Sequence, residues 1–282
     1  MRHSTEKRWI SVVRYQDDGS VVARRKEDQL ATEEPLEIRV QIQEGEARSV
    51  GTLMRTPGND FELAIGFLIS EGIVDFHPSN LVRTIRYCGV DGSVEQDYNI
   101  VTVRLNDEVP LPRSRETLIS SSCGICGTET IEQLMQGVET LPVGEVFRAR
   151  IVAEALEAVR RRQKIFEATG GVHAFGVCDS SGKVLDVRED VGRHNAFDKV
   201  VGSRYLAGEF DSSKVFGVIS GRVAFELVQK AMRLRIGLLV GVGAPTNLAV
   251  QLANDAGITI CGFAGSKGMN VYSHSERIDT TF

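Results

Sequence analysis

The chain has 282 residues, of which 42% are hydrophobic and 25% charged, and its 33 Lys and Arg face 38 Asp and Glu for a net charge of −5. That length suits two domains or one large α/β domain of ordinary globular composition, and the acidic balance argues against general nucleic-acid binding. Met1–Arg8 leads into no apolar signal core, and the longest apolar stretch, Ile236–Ala244, is too short and glycine-rich to cross a bilayer, so a cytoplasmic protein with no membrane partner is expected.

The first third reads as β-rich. Short runs of β-formers stand at Trp9–Arg14, Val21–Arg24, Leu36–Ile42, Arg48–Met54, Leu81–Tyr87 and Ile100–Leu105. One helix interrupts them: Asn59 is its expected N-cap, Glu62 completes a capping box, Phe61, Leu63, Ala64, Phe67 and Leu68 form its stripe, and Gly72 ends it. Val109–Arg113, with prolines at 110 and 112, reads as extended linker. These features set the expected domains: a β-rich N-terminal domain over 1–113, a mobile loop over 114–127 and an α/β domain over 128–282.

The loop holds Ser121-Ser122-Cys123-Gly124-Ile125-Cys126-Gly127-Thr128, followed by a helical pattern over Glu129–Gln136. Thr128 is a good N-cap, so both thiols precede a helix N-terminus, where the dipole and unpaired N–H groups favour a thiolate. A free thiol is only roughly 3% ionised at pH 7; at a pKa of about 7 the fraction is roughly half. The spacing admits half of a zinc site, a thioredoxin-like dithiol or a structural disulfide. No second Cys-x-x-Cys supplies the remaining zinc ligands, and Cys88, Cys178 and Cys261 stand singly in apolar surroundings. The polar turn Arg113–Glu116 precedes the pair, where a thioredoxin motif needs a strand.

After the cysteines, strands and helices alternate. Helices are expected over Arg150–Phe166, Arg193–Tyr205, Val223–Arg235 and Asn247–Ala256, and strands over Val172–Cys178, Lys183–Val187, Val215–Ile219, Gly237–Val242 and Ile258–Phe263. Such alternation implies a central, mostly parallel sheet covered by helices, with ligands bound beyond its C-terminal strand ends. Four segments fall there: Thr169–His173, Ser220-Gly221-Arg222, Gly241–Thr246 and Phe263-Ala264-Gly265-Ser266-Lys267-Gly268. The last offers an aromatic face, backbone amides and one cation, as a nucleotide grip or a simple surface turn. Asp190, His194 and Asp198 are spaced by four and share a face if helical, where a carboxylate would favour protonated His194; the alternative is a surface salt-bridge network with a cap.

In their order these blocks resemble the FdhD family, sulfur-carrier proteins that formate dehydrogenases require. The resemblance is carried by Cys123–Gly127, Thr169–Ala174, Glu189–Asn195, Ser220–Arg222, Glu226–Lys230, Ala244–Thr246 and Asn270–Tyr272, with Asp60–Gly72 toward the N-terminus. The chain departs from the family where Gly265 and Gly268 replace loop arginines and leave Lys267 as the one cation there. The resemblance implies a cytidine-deaminase-like three-layer α/β domain. It does not imply a deaminase, because His173-Ala174-Phe175 lacks the glutamate of that motif and Leu118–Ser122, just before Cys123, holds no proline.

It further implies that Cys123, assisted by Cys126, accepts persulfide sulfur from a cysteine desulfurase and passes it to the molybdenum of bis-molybdopterin guanine dinucleotide, for delivery to formate dehydrogenase apoenzyme. The cofactor is a bound substrate in this scheme, with GDP as a mimic of half of it, gripped by Phe263–Gly268 and by His173, His194, Ser220 and Arg222. No structural zinc and a homodimer are implied as well. The alternatives are a cofactor-binding chaperone that moves no sulfur and a zinc-stabilised interaction module.

Overall fold

The computed structural model describes residues 3–42, 45–74, 82–89, 96–106, 140–208, 211–212 and 214–281. The Cys123–Cys126 loop, the 109–113 linker and the expected 129–136 helix lie outside the described residues.

Strands β1 (Thr5–Tyr15) and β2 (Val21–Ala31) form an antiparallel hairpin by themselves. Both outrun the expected segments, since neither face of this exposed ribbon needs apolar alternation. Strands β3 (Glu34–Ile42), β4 (Arg48–Arg55), β5 (Val82–Gly89) and β6 (Gln96–Leu105) form a sheet of order β4-β3-β6-β5, with β3 and β6 parallel. Leu36, Ile38 and Val40 alternate inward and, with Leu53, Val101, Val103 and Leu105, belong to the cluster that also holds Leu63, Ala64, Phe67 and Leu68 of helix α1 (Asp60–Ser70). Every residue of α1 from Leu63 to Ser70 is buried, as befits a helix that is apolar nearly all round. Its start differs from the expected capping box: Asn59 is left-handed and makes no cap hydrogen bond to the backbone, and its side-chain amide instead donates to Glu62 at 2.9 Å. The buried Arg55 guanidinium fixes this corner by donating to both Asp60 carboxylate oxygens at 3.0 Å.

The second half begins with β7 (Phe147–Arg148), α2 (Ala149–Arg160), α3 (Lys164–Thr169), β8 (His173–Asp179) and β9 (Val184–Asp190). It continues with α4 (Arg193–Leu206), β10 (Val215–Ile219), α5 (Phe225–Arg233), β11 (Leu238–Gly241), α6 (Asn247–Ala256), β12 (Thr259–Gly265), β13 (Gly268–Ser273) and β14 (Ile278–Asp279). The single helix expected over Arg150–Phe166 is two, because the Glu189 carboxylate accepts from the backbone N–H groups of Ile165 and Phe166 at 2.9 and 2.8 Å and so starts α3 afresh.

The six-stranded sheet runs β13-β12-β11-β10-β8-β9, and only β10–β11 and β11–β12 pair in parallel. The expected mostly parallel sheet is therefore mixed. Crossover helices join β10, β11 and β12, but tight turns join β8 to β9 and β12 to β13, and a tight turn forces antiparallel pairing. Side chains alternate across the sheet. Phe175, Ile219, Leu239 and Ile260 lie in one cluster with residues of α4, α5 and α6, and Phe216, Val218, Leu238 and Val240 lie in another with Val152, Ala155, Leu156 and Val159 of α2. The first cluster continues through α1 into the four-stranded sheet. Among the described residues no helix is long and apolar enough to cross a membrane.

The two halves meet where α1 lies against α4. A Cβ on Gly66 would stand 1.7 Å from the Asp198 carbonyl oxygen, and one on Gly202 would stand 1.8 Å from that of Glu62. Each glycine thus admits the other helix's backbone, and no rotamer change relieves an added methyl. In an open helix Gly→Ala stabilises by about 1 kcal/mol; here Gly66→Ala and Gly202→Ala are each expected to lose about 2–3 kcal/mol by overpacking. Urea unfolding checks this, with Gly144→Ala, which has nothing within 4 Å of its Cβ position, expected to be neutral.

Candidate functional site

The C-terminal ends of β10, β11 and β12 carry three successive loops that are sewn together through the backbone. The Gly243 N–H donates to Gly221 O at 3.0 Å, the Thr246 N–H to Val223 O at 3.1 Å, and the Phe263 N–H to Gly243 O at 3.1 Å. Glycine at 243 is required by this approach, since a Cβ there would stand 3.1 Å from the Arg222 nitrogen and from the Gly221 carbonyl. Ser220 ties the first loop to β8: its N–H donates to Ala174 O at 3.0 Å, and its Oγ accepts from the Ala174 N–H at 2.8 Å. His173 therefore sits beside this loop, and a Cβ on Gly221 would be 3.3 Å from its Nδ1. Across the β8–β9 pairing His173 faces Asp190, after which Val191 and Gly192 lead into Arg193 and His194 at the start of α4. His173, His194, Ser220 and Arg222 are thus gathered at one end of the sheet.

The Asp190–His194–Asp198 face does not form, and the surface network weighed against it does not form either. Asp190 ends a strand, and its carboxylate is buried. It accepts from Thr56 N–H at 3.1 Å, Gly192 N–H at 2.9 Å and Asn195 Nδ2 at 2.9 Å, and it pairs with Lys199 Nζ at 2.8 Å. Asp198 turns toward α5, where the buried Lys230 Nζ lies 2.8 Å from both of its oxygens, 2.8 Å from Ser70 Oγ and 2.7 Å from Glu71 Oε1. Burial alone would lower the Lys230 ammonium; Asp198 and Glu71 outweigh it and hold it raised.

His194 answers to that ammonium. Burial is the main cause pushing its imidazole down to about 3, with Lys230 and Arg193 adding to it and Glu71 opposing. His173 is lowered by burial and then by Arg193 and Arg222, against Asp190. Both rings are neutral at pH 7, where a protonated His194 was expected. Arg193 Nε and His194 Nε2 are buried without a hydrogen-bond partner among the described residues. With Arg222 alongside, this sheet end offers cationic and neutral ring donors suited to a phosphate or a polar heterocycle.

Phe263 joins the assembly through Gly243, with the residue 57% exposed and its backbone at φ 50. The segment after it is not an open loop. Strand β12 runs on through buried Ala264 to Gly265, Ser266 and Lys267 make a two-residue turn, and Gly268, at φ 144, opens β13 opposite Gly265. Cys178 and Cys261 are buried in the sheet, and burial pushes both thiols up to about 12, so they are inert at neutral pH. Sequence reasoning gave no role to Arg193, Lys230 or Glu71. A signal for Lys230 existed: with Leu227 and Ala231 it falls on the buried stripe of α5, where a lone ammonium needs carboxylates.

The chain is thus a mixed α/β protein with an Arg- and His-walled site at the end of its larger sheet. It belongs to the FdhD/NarQ family, whose model matches residues 31–279. A relative from Anaeromyxobacter sp. (strain K), named Sulfur carrier protein FdhD, is 41% identical over 267 residues, covering 90% of each chain. One of the same name from Nocardia farcinica is 40% identical over 271 residues, covering 95% of this chain and 93% of that one. The crystal structure of a candidate formate dehydrogenase accessory protein from Desulfotalea psychrophila shares the fold, with TM-score 0.74 at 21% identity over 97% of this chain and 99% of that chain.

A titration tests the electrostatics. His194 is held down to about 3 in the fold and returns to the ordinary value near 6.5 when unfolded. The unfolded chain alone takes the proton between those values, so this ring lowers stability as pH falls from about 6.5 toward 3 and contributes nothing above pH 7. The His194 ring resonances in an NMR titration are expected to stay fixed between pH 8 and 5.

Proposed function

We propose that this protein is a sulfur carrier serving formate dehydrogenase, taking sulfur on Cys123 and giving it to the molybdenum of bis-molybdopterin guanine dinucleotide bound at the sheet end. The gathering of Arg193, Arg222, His173 and His194, with two buried polar atoms unpartnered among the described residues, carries the cofactor side of this reading. The relatives named sulfur carrier proteins support the sulfur side. The Cys123–Cys126 pair lies outside the described residues, so its chemistry is argued from sequence and thiol reactivity.

The donor is a cysteine desulfurase persulfide. The Cys123 thiolate attacks its terminal sulfur, the donor's sulfur–sulfur bond breaks, and the desulfurase cysteine leaves as thiolate while Cys123 becomes the persulfide. That sulfur must be reduced by two electrons to become a sulfido ligand. Attack by the Cys126 thiolate on the Cys123 sulfur supplies them: a Cys123–Cys126 disulfide forms, and sulfide leaves for the metal. The disulfide then needs a dithiol reductant before the next cycle. The chain's own groups at the sheet end bind and orient: Arg193 and Arg222 take phosphate charge, neutral His173 and His194 exchange hydrogen bonds with the heterocycle, and Ser220 fixes His173 through Ala174. Phe263 stacks on guanine, with the Ala264–Gly268 hairpin and Lys267 beside the phosphates.

The same reading includes a cytoplasmic homodimer and formate dehydrogenase apoenzyme as the receiving partner. The six-stranded sheet, with α2 on one face and α4, α5 and α6 on the other, supports the cytidine-deaminase-like three-layer arrangement. The Cys-x-x-Cys acts here as a dithiol without structural zinc.

Incubation with a desulfurase and cysteine is expected to add about 32 Da at Cys123 by peptide mass spectrometry, one sulfane sulfur. Label confined to Cys126 or to a lone cysteine contradicts the assignment, and a chaperone that moves no sulfur leaves both thiols unlabelled. Cys123→Ala is expected to abolish dehydrogenase maturation, and Cys126→Ala to leave only the part in which an external thiol reductant attacks the Cys123 persulfide in place of Cys126. In calorimetry GDP is expected to bind more tightly than ADP, and Phe263→Ala to weaken GDP by about 1–3 kcal/mol, the usual loss for one base–aromatic stack. Equal affinity for the two bases rejects the guanine assignment.

A further inference from the structure

The β1–β2 hairpin is unexplained by the site, and most of it lies outside the family model, which begins at residue 31. Its strands pair without a break from Thr5–Ala31 to Tyr15–Val21. At about 3.4 Å per residue the ribbon is roughly 35 Å long. It meets its own chain near its base, where β2 touches α3 and the Ala31 methyl lies 3.3 Å from the Cβ position of Gly171. Cross-strand pairing puts Trp9, Ser11, Val13 and Tyr15 on one face with Glu27, Arg25, Ala23 and Val21, and Lys7 on the same face neutralises Glu27 at 3.1 Å. Trp9 is 65% and Tyr15 85% exposed, and Val13 and Val21 are exposed as well. Arg25 stands over the Trp9 ring at 5.7 Å, which pre-orders the face. An isolated two-stranded ribbon is marginally stable in water, and an exposed aromatic face marks a contact surface.

Charge and area identify what covers it. Residues 1–31 carry seven Lys and Arg against five Asp and Glu within a chain of net −5, so the remainder stands at −7. On the Trp9 face itself, Arg25 has no ion-pair partner among the described residues. A cationic arm on an acidic body complements another copy of the same molecule. One ribbon face offers about 350 Å², so two exchanged arms and the surfaces receiving them bury about 1,400 Å², within the range of a stable specific interface.

We propose that the β1–β2 hairpin is an exchange arm that lays its Trp9–Val13–Tyr15–Val21 face on the body of a second copy of this chain. The inference rests on the homodimer included under the proposed function and assigns its surface. A two-fold pair uses both arms alike, so the contact closes. Because β2 leaves the body beside the Thr169–Gly171 loop that leads into His173, the partner is seated near the sheet-end site.

Sedimentation velocity on the full chain tests this, beside Trp9→Ser/Tyr15→Ser. The unaltered protein is expected to be a dimer that dissociates more readily as salt rises. The variant keeps its thermal melting profile at high dilution and weakens dimerisation at least about tenfold, as loss of interface Trp and Tyr anchors does. An unaltered protein that is monomeric overturns both the arm and the homodimer. A dimer retained at full strength by the aromatic variant overturns the arm and leaves the homodimer standing.

Discussion

The structure hangs on the contact between α1 and α4. Gly66 and Gly202 let the helix backbones close to a distance that no side chain permits, and the Lys230 ammonium, held by Asp198, Ser70 and Glu71, is sealed beside it. A buried ion pair contributes little net stability against a well-packed apolar substitute, but removing one partner strands a charge and costs several kcal/mol. The arrangement therefore specifies more than it stabilises. It fixes how the four-stranded sheet and α1 sit on the six-stranded sheet. The Asp190–Lys199 pair repeats the device, with Asp190 taking the Thr56 N–H and the Lys199 ammonium donating to the Thr56 carbonyl at 2.8 Å.

The same charges reach the site. Lys230 helps keep His194 neutral from behind, while Arg193 and Arg222 do so for His173. In the proposed function, two neutral imidazoles among fixed cations offer hydrogen bonds to the cofactor's heterocycle while the arginines meet its phosphates. On the proposed reading this end of the sheet holds and orients the cofactor, and the bond-making belongs to Cys123 and Cys126. Glycines at 221 and 243 let the carrying loops press close, so that the Phe263 N–H donates to Gly243 O, while Ser220 is tied to Ala174 by both its N–H and its Oγ.

Much of this was legible in the residues. Helix α6 was read to its ends because Thr246 is a true N-cap, its Oγ accepting the Ala249 N–H at 3.3 Å, and because Gly257 closes it in the left-handed conformation. Strand β10 was equally clear as a short, wholly apolar run. The loops after β10, β11 and β12 stand at the C-terminal strand ends, where the pattern of a strand followed by a Gly-rich turn places them. What failed depended on partners distant in sequence. The break between α2 and α3 needs Glu189, more than twenty residues on, and the roles of Asp190 and Asp198 need Thr56, Ser70 and Lys230 from other elements. The surface turn weighed at Gly265-Ser266-Lys267-Gly268 is present, but strand β13 was missed, because nothing in the turn itself shows that a strand returns beside β12.

The sulfur itself is the most direct witness to the account's central claim. The protein is loaded with radiosulfur on Cys123, freed of desulfurase, and mixed with the unsulfurated molybdenum cofactor and formate dehydrogenase apoenzyme. The account predicts that the label leaves Cys123 and is recovered in the cofactor of the active dehydrogenase, in proportion to the activity gained. Activation with the label still on the protein, or with unlabelled sulfur in the cofactor, would contradict it.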